Sequence, residues 1–235
     1  MMSKILIIGA NGAVGKSCIK KLKDENELVL ISRSKEQDND NNFDIPVDTL
    51  DINNYENTQK YIESIDYEIS GIIFALGSIT LKPFKQTTIN EFIDVMNNNF
   101  FNIANFLHCS IDKFSDNSSV VFFSSIAASR GFKNHTAISS AKSALKGFSI
   151  SLAADFAPKI RFNTISPSLS YSKMSNFITS NEKVAEGLAK LHPMLRLGSG
   201  DDIADLAAFL ISNQSSWITG QNFNVDGGRS TLITK

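Results

Sequence analysis

Short unbroken apolar runs alternate along this chain with stretches whose apolar positions recur every three or four residues. The runs read as buried strands and the stretches as amphipathic helices, because side chains alternate faces along a strand and repeat every 3.6 residues along a helix. Strands are expected at residues 4–8, 28–31, 45–47, 69–76, 120–123, 160–165 and 222–225. The helix after the first strand puts Val14, Cys18 and Leu22 on one face. Further helices are expected after Asp51-Ile52-Asn53-Asn54 through Ile65, over 89–111, over 137–154 and over 203–211. The 89–111 stretch carries Phe92, Val95, Met96, Ile103, Phe106 and Leu107 as its apolar positions. Residues 38–42, Asp-Asn-Asp-Asn-Asn, are too hydrophilic for a core and read as a loop. Strict strand–helix alternation implies an α/β fold: a doubly wound, Rossmann-type parallel sheet with helices on both faces. No internal repeat or low-complexity linker interrupts it, so residues 1–235 are expected to form one domain.

Composition narrows the partners. A formal net charge of −1 and a pI near 6.3 give no electrostatic case for nucleic acid or an anionic membrane. Lys16, Lys20, Lys21 and Lys23 read as the solvated face of the first helix. Both cysteines, Cys18 and Cys109, fall in helical segments and look like core residues, not a disulfide framework. The first strand starts by Lys4, leaving no room for a signal peptide, and no apolar run has the length of a membrane span. A reducing cytoplasm is the expected compartment.

The first candidate chemistry follows the first strand. Gly9-Ala10-Asn11-Gly12-Ala13-Val14-Gly15 sits between an apolar strand and a helix start. A dinucleotide site needs that context: glycines let the backbone approach a pyrophosphate, and the helix N-terminus favours its charge. The competing reading is an ordinary strand-to-helix turn. Gly9, Asn11, Gly12, Ala13, Val14 and Gly15 are the candidate phosphate-end residues. The second strand ends Leu30-Ile31-Ser32-Arg33-Ser34-Lys35. A carboxylate here would bind the ribose hydroxyls of NAD, whereas a guanidinium suits the 2′-phosphate of NADP. Ser32 and Arg33 therefore point to NADP(H), with Lys35 as a second cation.

Several further pieces fall in one order: Asp51-Ile52, Gly77, Asn99, Ser125, Lys142, Arg161-Phe162-Asn163-Thr164-Ile165-Ser166-Pro167, Arg196-Leu197-Gly198, Asp202-Ile203-Ala204, Ile218-Thr219-Gly220 and Val225-Asp226-Gly227-Gly228. From Lys4 to about Gly228 the chain resembles the short-chain dehydrogenase/reductase family, in its compact branch, similar to bacterial 3-oxoacyl-[acyl-carrier-protein] reductases. The resemblance implies a carbonyl-holding Ser125, a ribose-holding Lys142 and a supporting Asn99 as catalytic residues. It adds Asp51, Ile52, Ala75, Gly77, Pro167 and Ser172 to the cofactor-binding set, and a substrate lid over about 168–197. It also implies a homodimer or homotetramer paired through the long helices. Phe100, Phe101, Phe106, Ala144, Phe148 and Leu152 exceed what one helix face needs for its own core.

The departures matter as much. The family's tyrosine, four residues before the lysine and thirteen after the serine, falls on Ile138 in both counts. Ala75 and Ser168 stand where the family has asparagine and glycine, and Gly12-Ala13 displaces the middle glycine of the turn. Isoleucine has no proton to give. The expectation is an NADP(H)-dependent oxidoreductase of small carbonyls or alcohols with altered proton transfer. The alternatives are a nucleotide-binding pseudoenzyme read by a protein partner, and a structural relic in a hetero-oligomer. His135 and Tyr171 are candidate surrogate donors, although His135 also reads as a surface loop residue and Ser139 as serving the helix start.

Overall fold

The computed structural model describes residues 3–34 and 43–233. The polar loop at 38–42 and Lys35 lie outside the described residues. Seven strands form one parallel sheet in the order β3-β2-β1-β4-β5-β6-β7. They are β1 Ser3–Ile8, β2 Leu28–Ser32, β3 Val47–Thr49, β4 Glu68–Phe74, β5 Phe114–Phe123, β6 Ile160–Pro167 and β7 Asn222–Val225. The helices are α1 Ala13–Leu22, α2 Tyr55–Glu63, α3 Ile89–Met96, α4 Asn102–Ser110, α5 Thr136–Phe156, α6 Asn176–Thr179, α7 Glu182–Ala189 and α8 Gly200–Ile211.

Both faces of the sheet are covered, and the period-two pattern shows how. Leu6, Ile8, Phe74, Val120 and Phe122 pack on one face with Ile62, Ile103, Phe106 and Leu145 of α2, α4 and α5. Their strand neighbours Ile5, Ile7, Ile73, Val121 and Phe123 pack on the other with Cys18, Ile19, Ile203 and Leu210 of α1 and α8. Phe74, Phe122 and Phe162 stack across three adjacent strands at centroid distances of 5.6 and 6.3 Å. The strand order reverses between β1 and β4, and ligands of such sheets bind beyond the carboxyl ends at that switch point.

Two buried polar residues of β6 hold the last segment in place. Arg161 donates to the carbonyls of Leu210, Ser212 and Ser215 at 3.0–3.1 Å, so its charge meets the carboxyl end of α8. Asn163 donates to Ile218 O at 2.8 Å and accepts from Gln221 N at 3.1 Å.

Several expected bounds shift. The third strand begins two residues later than expected, at Val47, because its register is set by pairing with Leu30–Ser32. The second helix stops at Glu63, not Ile65, and β4 ends at Phe74, short of Leu76. The long helix over 89–111 is split by a π-helical turn at Asn97–Phe101. Cys18 is fully buried as expected, whereas Cys109 is only half-buried at the edge of the core. Phe106 is not surplus apolar surface: it is fully buried against Phe74, and Phe100, Phe148 and Leu152 pack on the same core. Phe101 and Ile150 are the large apolar side chains that α5 and the π turn leave exposed.

Candidate active site

The glycine turn is built for close backbone approach. Gly9 has φ +90°, and a Cβ there would lie 2.3 Å from Ala75 O; one at Gly15 would lie 2.3 Å from Gly9 O. Neither position admits a side chain. Gly12 is the N-cap of α1, with no side-chain cap and no acidic residue in the first turn. The helix therefore presents backbone N–H groups and positive dipole with no resident carboxylate, which fits a pyrophosphate. Asn11, in the same turn, donates from Nδ2 to Ser32 Oγ at 2.9 Å and to Ser34 O at 3.1 Å. That contact ties the turn to the end of β2 and leaves Arg33 exposed between them. Ala13 and Val14 open α1 beside this turn, and a Cβ on Gly200 would touch Ala13 O at 2.7 Å, so α8 starts against α1.

Asp51 and Ile52 follow β3. The Asp51 carboxylate accepts from Asn53 N at 3.1 Å in a local turn, while Ile52 is buried in the core. Ala75 and Gly77 follow β4. A Cβ at Gly77 would lie 2.7 Å from Asn99 Oδ1 and 3.2 Å from Lys142 Nζ, so the two side chains converge on that glycine. The π turn directs Asn99 inward, where Nδ2 donates to Val95 O at 2.9 Å and Ser78 O at 3.1 Å, and Oδ1 accepts from Ser78 N.

Lys142 is 8% exposed, and its ammonium donates to Phe123 O at 2.8 Å with no carboxylate among the partners described. Burial lowers its pKa to about 8. Ser124 Oγ donates to Lys142 O at 2.7 Å, fastening α5 to the end of β5. Ser125 comes next and accepts on Oγ from Ala127 N at 3.1 Å.

Ile138 is 4% exposed and packs with Val95, Ala137 and Ala141 against Leu81, Phe92 and Met96. The position is sealed by aliphatic and aromatic groups of α3 and the β4 loop. His135 is the N-cap of α5, outside the helix proper, with Nδ1 2.7 Å from Lys133 O and its ring beside Phe132. Ser139 does not cap the helix as expected. It lies inside α5 and donates to Ala127 O, clamping the turn that follows Ser125.

Beyond Pro167 the chain enters the segment 168–197, which contains α6 and α7. Ser172 Oγ lies 3.1 Å from Ser175 Oγ in a knot of hydroxyls closed by Ser170 O. Phe177, Val184, Leu191 and Met194 of this segment are exposed, so they do not pack a core. Tyr171 is 53% exposed and lines a cleft of about 500 Å³ with Glu182, Arg196 and Ser199. The segment ends in a rigid joint: Arg196 makes a bidentate pair with Asp202 at 2.7 Å, and Ser199 and Asp202 form a capping box. The Arg196 guanidinium holds the Asp202 carboxyl well below the usual carboxylate range. A buried histidine, His192, bonds to Ser168 Oγ at 2.8 Å. Sequence reading missed this pair, whose signal was Ser168 in place of glycine.

The family model described as enoyl-(acyl carrier protein) reductase matches residues 13–230. The chain belongs to the short-chain dehydrogenase/reductase family. It is 30% identical to the 3-oxoacyl-[acyl-carrier-protein] reductase of Buchnera aphidicola over 95% of each chain. It is similar in structure to the ligand-free aldohexose dehydrogenase of Thermoplasma acidophilum, with TM-score 0.90 and 25% identity over 100% of this chain and 96% of that one. ElxO with NADP bound has the same fold, with TM-score 0.89 and 24% identity over 99% of this chain and 100% of that one. Members of this oxidoreductase family act on small molecules. Among the described residues no helix is long and apolar enough to cross a membrane, and no cluster of His, Cys, Asp or Glu could hold a metal.

Proposed function

We propose that the protein is an atypical NADP(H)-dependent oxidoreductase of a small carbonyl or alcohol, in which the phenolic proton donor is gone. The observation that carries the reading is the cradle: a glycine turn that admits no Cβ, an uncapped α1 and a buried Lys142, bonded to Phe123 O and with no carboxylate partner among the described residues, beside Asn99 and Gly77. A bound nicotinamide supplies hydride transfer. The chain's own residues then divide the remaining work. Gly9, Asn11, Gly12, Ala13, Val14 and Gly15 hold the pyrophosphate end. Ser32 and Arg33 hold the adenosine end, where a guanidinium favours the 2′-phosphate. Asp51 and Ile52 border the adenine, and Ala75, Gly77, Pro167 and Ser172 line the nicotinamide end. Lys142 holds the ribose, Ser125 polarises the carbonyl, and Asn99 orders the β4 loop around them.

Residues 168–197 act as the substrate lid within a single domain, and their exposed apolar side chains suit a substrate with a hydrophobic part. Phe101, Ile150 and the fully exposed Trp217 are surface that a homodimer or homotetramer would cover. Both cysteines are free thiols, as a reducing cytoplasm requires. The second reading, a pseudoenzyme that binds NADP(H) and signals to a protein partner, draws on the sealing of Ile138 by Leu81, Phe92 and Met96. A panel of ketones and β-keto esters with NADPH separates the two. The oxidoreductase turns over at least one of them, whereas the pseudoenzyme binds NADPH and transfers hydride to none.

A further inference from the structure

Ser168 is the first residue beyond β6, and its backbone N–H donates to Val225 O on β7 at 3.2 Å. Ser125 leaves the neighbouring strand, where Phe123 pairs with Ile165 and Ser124 N donates to Ile165 O at 2.8 Å. Adjacent strands lie about 4.8 Å apart, so both hydroxyls stand on neighbouring strand ends at the carboxyl edge of the sheet. Ser168 is half-buried with its oxygen toward the lid, while the imidazole behind it is 2% exposed.

The two imidazole nitrogens have different partners, and those partners set the tautomer. Nδ1 lies 2.9 Å from Leu188 O, which can only accept, so Nδ1 carries the proton. Nε2 of the neutral ring is then an acceptor, and the Ser168 hydroxyl 2.8 Å away is its donor. The ring is held by His192 N donating to Ala189 O at 3.0 Å and by the tail, where Met194 N donates to Gly227 O. A half-buried serine hydroxyl bonded to a buried imidazole at the carboxyl edge of the sheet is an arrangement that can move a proton.

We infer that Ser168 and His192 form a hydroxyl–imidazole relay that takes and returns the proton of the carbonyl reaction, which Ile138 cannot handle. The inference rests on the oxidoreductase reading above. In alcohol oxidation a bound oxidised nicotinamide would accept the hydride of the substrate C–H bond as the C=O bond forms. The O–H proton passes to Ser168 Oγ as the Ser168 proton passes to His192 Nε2, leaving an imidazolium whose Nδ1–H still donates to Leu188 O. Reduction runs the same transfers backward. Both Ser168 and His192 would then be catalytic residues, one touching the substrate oxygen and the other storing the proton.

The charged groups facing His192 are Arg229 and Asp226 of the tail. Burial holds its pKa below the ordinary histidine value, and Arg229 pushes the same way, whereas the Leu188 carbonyl and Asp226 oppose. The ring is thus neutral at neutral pH and ready to accept. Reduction needs the imidazolium, so its rate should rise as pH falls through that lowered pKa. A pair that only glued the lid to β6 would give no such limb.

The test uses NADPH with ethyl acetoacetate as the carbonyl probe, across pH, in native protein and in Ser168→Gly, His192→Gln and the surface control His108→Gln. The relay requires Ser168→Gly and His192→Gln each to lower kcat on the order of 10²-fold and to remove the low-pH limb. NADPH affinity should stay at the native value while Tm falls by a few degrees, because each variant leaves a buried polar group short of a partner, and His108→Gln should change nothing. Nitrogen-15 NMR of the three histidines in cofactor-free protein should show His192 protonated on Nδ1 and bare on Nε2, assigned by loss of the signal in His192→Gln. Native-like kcat and pH profiles in both variants, or a His192 protonated on Nε2, would overturn the relay and leave the oxidoreductase reading standing. Native protein that binds NADPH and reduces nothing at any pH would overturn both.

Discussion

At the carboxyl end of β1, Gly9 and Gly15 leave no room even for a Cβ, whereas at position 138 a branched side chain fills the place where the family resemblance expects a hydroxyl. The two regions belong to one fold and, in the proposed function, to one site. The first is defined by backbone: Gly9 and Gly15 admit no Cβ, so its geometry cannot drift without breaking the turn. The second is defined by a side chain packed against Leu81, Phe92 and Met96, where an apolar exchange costs little stability. Binding and proton transfer are therefore separable here, and a chain can keep the one while rebuilding the other.

The largest expected effect comes from filling the first region. Gly9→Ala forces a left-handed residue and sets a Cβ against Ala75 O, which together cost about 3 kcal/mol. Tm should fall by roughly 6–12 °C in a thermal melt, with loss of NADPH binding. A native-like melt would show that the turn is looser than its contacts imply. The reverse experiment refills the second region. Ile138→Tyr returns a phenol to position 138 and, introduced into Ser168→Gly, should restore turnover of generic ketones on the order of 10²-fold. Phe92 and Met96 must shift to admit the ring, and a crystal structure of the variant would show whether they do. Unchanged turnover with the ring in place would mean that the site lacks more than a donor.

Lys142 gives a pH test of the proposed cofactor contact. Burial lowers its pKa from 10.5 to about 8, so the ammonium that is proposed to hold the ribose is lost as pH rises through that value. NADPH affinity should weaken from about pH 8 upward in a binding titration. The folded-state pKa is depressed below the unfolded one, so the unfolded chain holds this proton more tightly. The contribution of Lys142 to stability should therefore rise with pH between about 8 and 10.5. The smallest expected change is at the rim. Arg33→Ala removes one charge-assisted contact and should erase most of a roughly tenfold preference for NADPH over NADH.

The sheet was legible because parallel strands buried on both faces read as apolar runs; all seven strands among the described residues were expected, although β5 begins six residues earlier than expected, at Phe114, and β3 shares only Val47 with its expected range. The interruptions were not. The π turn at Asn97–Phe101 carries no sequence signal of its own, since Val95, Asn99 and Ile103 keep helical spacing through it. The tight turn at Gly9 and Gly15 could be named from sequence, because only glycine meets the steric demand. Ser168 and His192 could not be paired, because twenty-four residues and two lid helices separate partners joined only by the fold. Asn11 was placed in the turn correctly, yet its bond to Ser32 across two elements needed coordinates. The surplus assigned to Phe106 failed because a helix that packs on a phenylalanine ladder needs a larger apolar face than spacing alone suggests.

The most direct test of the separation between binding and proton transfer is calorimetric titration of the native protein with NADPH and, in parallel, with NADH. The expected result is one nucleotide bound per chain, with NADPH tighter by about tenfold through the Arg33 guanidinium. Failure to bind either nucleotide, or an equal or greater affinity for NADH, would contradict it.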